Sequence, residues 1–168
     1  MIGVPLDHIA IHVADCEQAE TVVRELLEHE TVQELLVPSD KGSARLRVTA
    51  QRGERFRLVL CEAVGAEHPI AKWIAARGPG THHVAHRVEH IETALEGIEP
   101  DVVVGGIVDA PGLRQVFIEA ADDGLLHEIT QRLDEPNFVE DNVAALIEMG
   151  GEKHSTPAPP QGWSGGRR

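Results

Sequence analysis

This sequence predicts an α+β fold made of two paired βαβββ modules, and three observations carry that prediction. A pattern restarts along the chain: His82 to His90 (HHVAHRVEH) resembles Asp7 to Asp15 (DHIAIHVAD) at an offset of 75 residues. Helical stretches and short β-branched apolar runs then follow each copy in the same order. The length of 168 residues, with 42% hydrophobic and 26% charged content, suits one globular domain with a real core. A repeat of this size implies two similar units packed against each other.

Residues 6–14 (LDHIAIHVA) form a β-branched apolar run that reads as a strand. Asp15 can cap the following helix, in which Ala19, Val22, Val23, Leu26 and Leu27 recur at helical spacing. Strand-like runs come next at 44–50 (ARLRVTA) and 56–62 (FRLVLCE), joined by a turn around Gly53. Pro69 suits the first turn of a second helix, 69–77, which carries Ile70, Trp73 and Ile74 and stops at Gly78, Pro79 and Gly80. In the second unit the strand at 82–90 is followed by a short helix at about 91–98. Strands near 101–104, 113–119 and 124–131 complete that unit. A last helix, 138–149, places Val139, Val143, Leu146 and Ile147 on one face, with Asn137 as its N-cap. The modules are thus about 6–64 and 81–132 of a single domain, 1–150. Residues 151–168, rich in Pro, Gly, Ser and charge, read as a disordered tail.

His8, His83 and Glu128 sit on three of these short apolar strands. Neighbours on a strand point to opposite faces, so aligning DHIAI with HHVAH sets His83, and not His82, opposite His8. Two imidazoles and one carboxylate are the ligand set of an open metal site of the facial-triad type. Fe(II) is the expected ion, with Co, Ni, Mn or Zn as alternatives, because N and O ligands bind most first-row metals. The corresponding place in the first unit holds Val59, so three protein ligands leave positions open for substrate and a second small molecule. The plainer reading makes each histidine a hydrogen-bonded structural residue and Glu128 a solvated one. Against it, Leu126 marks the face of Glu128 as inward, and a buried carboxylate needs a partner. His82 and His86 share the other face and fall outside the site. His12, His29, His68, His90, His127 and His154 are read as surface or structural. Cys61 is read as a small core residue, since no basic partner for a thiolate is evident.

The net charge of −13 opposes binding to nucleic acid or to an anionic membrane, because both need a basic face. No apolar run approaches the roughly 18–20 residues that span a bilayer. The start MIGVPLDHIAIHVAD lacks a basic region followed by an apolar one. Two cysteines without CxxC spacing make no disulfide framework. The expectation is a cytoplasmic protein with a small-molecule substrate. With no Tyr, three Phe and two Trp, it has little with which to sandwich an aromatic ring.

The segments DHIAIHVAD and HHVAHRVEH resemble the vicinal oxygen chelate (glyoxalase/dioxygenase) superfamily over roughly residues 6–149. That resemblance implies a glyoxalase-like pair of half-barrels. AKWIAARGPGTHHVAHRV and GLLHEITQ are similar to methylmalonyl-CoA epimerase, where a fourth-strand Gln or Glu completes the metal shell and a third-strand Glu is the acid/base. Here the first falls on Val59, and the third strand, SARLRVTA, has no carboxylate to serve as the base that proton abstraction needs. GPGTHHVA, LRQVF and EITQRLDEPNFVEDNVAALIE resemble the iron-bearing C-terminal domain of 4-hydroxyphenylpyruvate dioxygenase. In that family the ligands are two His and one Glu, and the fourth-strand position is not a ligand.

The dioxygenase resemblance implies that His8, His83 and Glu128 hold Fe(II) and that Gln115 contacts substrate. Phe138 and Asn142 match the helix that gates the pocket. It implies an oxidoreductase in which a 2-oxo acid, or another molecule with vicinal oxygens, chelates the iron and dioxygen is the co-substrate. It also carries over a homodimer, since such domains often dimerise. The family enzyme has two such domains where this sequence shows one. The segment LVLCEA also lacks the Asn that the family places near the substrate ring, which points away from 4-hydroxyphenylpyruvate itself. Two rival classes stand beside this reading. One is a non-redox isomerase or lyase of the epimerase or glyoxalase type using Co, Ni, Mn or Zn, favoured if a register shift brings Glu62 to the site. The other is a metal-free small-molecule binding protein in which His8 and His83 are structural.

Overall fold

The computed structural model describes residues 4–119, 125–133, 138–141 and 143–144. Strand β1 (Leu6–His12) leads into helix α1 (Cys16–Leu27), whose N-cap Asp15 accepts a hydrogen bond from the Gln18 amide at 2.9 Å. Strands β2 (Glu30–Ser39), β3 (Gly42–Ala50) and β4 (Arg57–Val64) complete the first module. Helix α2 (Pro69–Arg77) links it to the second, with Pro69 in its first turn as expected and Gly78 ending it at φ 81°. The second module consists of β5 (Gly80–Val88), α3 (Ile91–Leu95), β6 (Val103–Ala110), β7 (Leu113–Glu119) and β8 (Leu126–Arg132). One eight-stranded sheet runs β2-β3-β4-β1-β5-β8-β7-β6. Its two halves mirror each other: β1 pairs parallel with β4, β5 pairs parallel with β8, and β1 and β5 join the halves antiparallel.

Two strands differ from the sequence expectation. β2 (ETVQELLVPS) reads as polar because it is an edge strand whose exposed residues include Glu30, Val32, Glu34 and Leu36, while only Val37 is fully buried. β6 runs on to Ala110, past the expected end at 104, because Gly105 (φ 76°) and Gly106 form an irregularity within the strand. The final helix is seen at residues 140–141 and 143–144. Asn137, Asn142, the rest of that helix and the tail 151–168 lie outside the described residues.

Alternation along the strands divides the sheet into two faces. The outer face carries α1 and α3: Val13, Cys16 and Leu60 cluster with Ala19 and Val23, and Ile91 clusters with Val116, Ile118 and Ile129. α1 seats on its small residues Cys16 and Ala19, with Glu20 anchored by Arg47 and Thr31. That seating turns Val22 (50% exposed), Leu26 (75%) and Leu27 outward, so the apolar stripe expected to pack does so only in part.

The inner face carries His8, His83 and Glu128. In the first module it is apolar, with Val37, Ala44, Leu46, Val48, Val59 and Cys61 closed over by Ile70, Phe138 and Val143. Gln33 pins Phe138 there by bonding both its amide, at 3.2 Å, and its carbonyl. Burying a side chain the size of Phe138 stabilises the fold by roughly 1.5–3 kcal/mol.

Asp7 ties the first strand to the last. Arg132 donates to its carboxylate through Nε at 2.7 Å and Nη2 at 2.5 Å, and both side chains are buried. Burial pushes the Asp7 carboxyl up, but Arg132 and the ring N–H of His8 outweigh it and hold the group well below the usual carboxylate range. A lowered pKa contributes stability above the unfolded value of about 3.9, and that stability is lost as pH falls toward the folded value. Asp7→Asn leaves the buried Arg132 charge uncompensated. It is predicted to cost about 3–5 kcal/mol in urea unfolding at pH 7, with the gap to the native protein narrowing below about pH 4. Gly42 turns β2 into β3 at φ 125°, and a Cβ there would run into the Val64 carbonyl. Gly42→Ala is therefore predicted to destabilise by at least about 1–3 kcal/mol in the same assay, through backbone strain.

Candidate metal centre

β1, β5 and β8 lie side by side in the middle of the sheet, so three residues far apart in sequence meet there. His8 Nε2 lies 3.2 Å from His83 Nε2, Glu128 Oε2 lies 3.1 Å from His83 Nε2, and His8 Nε2 is 3.9 Å from Glu128 Oε2. All three side chains are buried, and among the described residues they form the one His/Cys/Asp/Glu cluster spaced for an ion. Donors about 2.1 Å from a common ion and at right angles to each other lie about 3 Å apart, close to these edges. Glu128 Oε2 is fully buried, and despite its short distance to His83 it has no hydrogen-bond partner of acceptable geometry. A buried, unpartnered carboxylate oxygen facing two imidazoles fits a cation.

The protonation states also fit. Burial raises the Glu128 carboxyl, but the imidazoles of His83 and His8 prevail and hold it below its ordinary value. Burial lowers His83, against the pull of Glu128. The site therefore offers an ionised carboxylate and a neutral imidazole, the forms that bind metal. His8 Nδ1 lies 2.9 Å from Asp7 Oδ1. If Nε2 is to face an ion, the ring proton sits on Nδ1 and donates to that carboxylate, the usual outer partner of a metal-binding histidine.

Gln115 is completely buried on β7, and neither its amide nitrogen nor its amide oxygen has a partner. It pairs across the sheet with Thr130, whose buried hydroxyl is likewise unpartnered, while Phe117 pairs with Glu128. Gln115, Phe117, Glu128 and Thr130 thus share the inner face of the second module, which is polar where that of the first is apolar. Phe138 stands edge-on to His8 with ring centres 5.0 Å apart, and Phe117 lies 5.4 Å from His83. Asn142 falls outside the described residues.

One expectation fails. His82 does not point away from the site: its Nδ1 lies 2.9 Å from Nδ1 of His83, and its ring stacks on His12. The cause is a bulge. Ala10 pairs with His83 but Ile11 pairs with Thr81, so His82 is an extra residue in β5 and strict alternation breaks there. His86 does lie outside the site, 3.0 Å from His127. His29 bonds Thr49, and His68 caps α2 by accepting from the Ile70 amide, both structural roles. His12 is buried, not superficial, and burial, with His83 and His68 nearby, lowers it to about 3. Cys61 is core, its thiol pushed up by burial. Glu62 bonds the Cys16 amide and Arg45 on the outer face, so no register shift brings it to the site. Val59 packs in the apolar core.

Sequence reading missed Asp7, Thr130 and Arg132. Asp7 immediately precedes His8, but a bulge in β1 turns it onto that ring and its pairing with Arg132 is long-range, so alternation along the strand hides it. Thr130 lies two residues from Glu128, and strand alternation could have found it.

Comparison with known proteins places this arrangement. A profile described as Glyoxalase/Bleomycin resistance protein/Dioxygenase superfamily matches residues 7–103. Among curated proteins there is no significant match. Among solved structures, methylmalonyl-CoA epimerase from Mycobacterium tuberculosis is 26% identical with TM-score 0.61, over 80% of this chain and 95% of that one. A mutant of 4-hydroxymandelate synthase from Streptomyces coelicolor is 18% identical with TM-score 0.72, over 88% of this chain but 54% of that one. Methylmalonyl-CoA epimerase from Streptomyces coelicolor, in complex with 2-nitronate-propionyl-CoA, is 24% identical with TM-score 0.59, over 77% and 97%. The last two likenesses bear on the fold alone. With the profile covering more than half of its length, the chain belongs to the glyoxalase/bleomycin resistance protein/dioxygenase superfamily, whose fold its paired modules share.

Proposed function

We propose that this chain is an Fe(II)-dependent dioxygenase acting on a 2-oxo acid or a similar small molecule with vicinal oxygens. The observation that carries the reading is the buried triad of His8, His83 and Glu128, with Glu128 Oε2 unpartnered between two imidazole nitrogens. A two-histidine, one-carboxylate set with open positions is the usual holder of non-haem Fe(II). When bound, the ion supplies a Lewis-acid template for a chelating substrate and the electron density that activates dioxygen. Gln115 offers both a donor and an acceptor to the substrate from the inner face of β7, and the Thr130 hydroxyl faces the same space. Phe138, held by Gln33 against His8, excludes water from the first-module side.

A metal-dependent isomerase is the second reading, favoured by the 26% identity to an epimerase over nearly all of that chain. Against it, the inner faces of β3 and β4 present Ala44, Leu46, Val48, Val59 and Cys61 and no carboxylate among the described residues to take a proton from substrate.

Protein purified without oxygen is predicted to carry stoichiometric iron that His83→Ala and Glu128→Ala both lose, and to consume oxygen with some 2-oxo acid. Cobalt, nickel or zinc in place of iron, with turnover of a CoA ester and no oxygen uptake, would establish the isomerase instead. Gln115→Leu is predicted to lower kcat/KM by about ten- to a hundredfold, the loss of one or two buried hydrogen bonds to substrate. The same variant should keep or gain thermal stability, because an orphaned amide is exchanged for an apolar group. A loss of both stability and activity would make Gln115 structural.

A further inference from the structure

The two histidines of the triad have unlike neighbours, and the ladder between β1 and β5 shows why. It carries two irregularities. Between Leu6 and His8 the extra residue is Asp7 on β1; between Ala10 and Ile11 the extra residue is His82 on β5. Each bulged residue immediately precedes a triad histidine, and each turns a side-chain acceptor onto that histidine's Nδ1. Asp7 Oδ1 is 2.9 Å from Nδ1 of His8, and His82 Nδ1 is 2.9 Å from Nδ1 of His83. In the sequence repeat the same two residues align, Asp7 of DHIAI with His82 of HHVAH.

We infer that His82 is a positioning residue whose Nδ1 accepts the Nδ1–H of His83, holding that ring with Nε2 aimed at His8 Nε2 and Glu128 Oε2. The inference rests on the metal-binding reading above and adds to it. A neutral imidazole that gives its Nε2 lone pair to an ion keeps its proton on Nδ1, so His83 must donate there. His82 must then be the tautomer with a free Nδ1 lone pair. Its ring is fixed for the task, stacked on His12 at 4.3 Å and 19° and meeting the Trp73 ring at 5.9 Å and 72°. Trp73 in turn stands edge-on to His12 at 4.8 Å. His82 thus orients one metal-binding imidazole without adding charge, whereas Asp7 orients the other with an anion that Arg132 neutralises.

The test separates the acceptor from the stack, using Co(II) as probe on the full chain. His82→Asn keeps an acceptor oxygen near the Nδ1 position and loses the ring, while His82→Phe keeps the ring and loses the acceptor. Competition against a chromophoric chelator should show His82→Phe weakened about 10–100-fold, the usual cost of removing an outer partner, and His82→Asn within a few-fold of the native protein. Equal weakening of both variants, or of neither, would overturn the inference. So would weakening of Asn alone, which would assign the role to the ring stack. A second measurement needs no variant to fold: the Co(II) form of the native protein should show two slowly exchanging, hyperfine-shifted ring N–H signals in its proton spectrum. A single such signal would also overturn the inference. Native protein that binds no Co(II) would instead remove the metal-binding reading itself, an outcome distinct from any failure of His82.

Discussion

The ion pair between Asp7 and Arg132 is the constraint on which the rest of the molecule turns. Its partners lie 125 residues apart, on the first and the last strand, and both are buried. Such a pair is retained only where its geometry is good, because desolvating two charges costs several kcal/mol. Here the guanidinium meets the carboxylate with two nitrogens, and the remaining capacity of that carboxylate goes to His8. Arg132 also lies over the Phe138 ring, 5.0 Å from its centre. One contact thus ties the first strand to the last across β5, engages the ring of a histidine in the triad and lies over the residue that caps the first module.

The two modules share a topology but divide the work. In the first, the inner face is filled with apolar side chains and covered by Phe138 and Val143; in the second, the equivalent face is lined by Gln115, Phe117, Glu128 and Thr130. A symmetric pair of modules would supply a fourth ligand from β4, and Val59 stands there instead. The asymmetry leaves three protein donors, from β1, β5 and β8, that would hold the proposed ion, with the polar side chains beside them on the second module. It also disfavours chemistry that needs a base on the first-module side, since no inward carboxylate is found on β3 or β4 among the described residues.

The two histidines were legible because they obey a repeat, and Glu128 because Leu126 marks its strand face as inward. An offset of 75 residues relates His8 to His83, and equivalent positions in paired modules fall around one axis. Helices with strong local punctuation, such as Asp15 before α1 and Pro69 opening α2, were legible for the same reason: the signal is contained in a few adjacent residues. What was not legible depends on pairing with distant chain. β2 looks polar by itself and becomes a strand by bonding to β3 along its length. The extension of β6 crosses two glycines that by themselves read as a break. His82 was assigned to the wrong face because alternation holds only in a regular ladder, and the bulge that breaks it is created by the register between β1 and β5. Asp7 and Arg132 carry no local mark of partnership at all.

The unpartnered polar atoms on the inner face give a reason to read this site as working rather than vestigial. The Gln115 amide, the Thr130 hydroxyl and Glu128 Oε2 are all buried without a protein partner. Each such group costs about 1–3 kcal/mol if nothing meets it, and a domain of this size is stable by only about 5–15 kcal/mol in total. Apolar replacements would remove that cost, and the first module shows that the same fold accepts them on the same face. A protein that keeps three such groups together beside two imidazoles loses stability for which packing offers no return. Under the proposed function that return comes from binding: an ion for Glu128, and for Gln115 and Thr130 a polar molecule seated beside it.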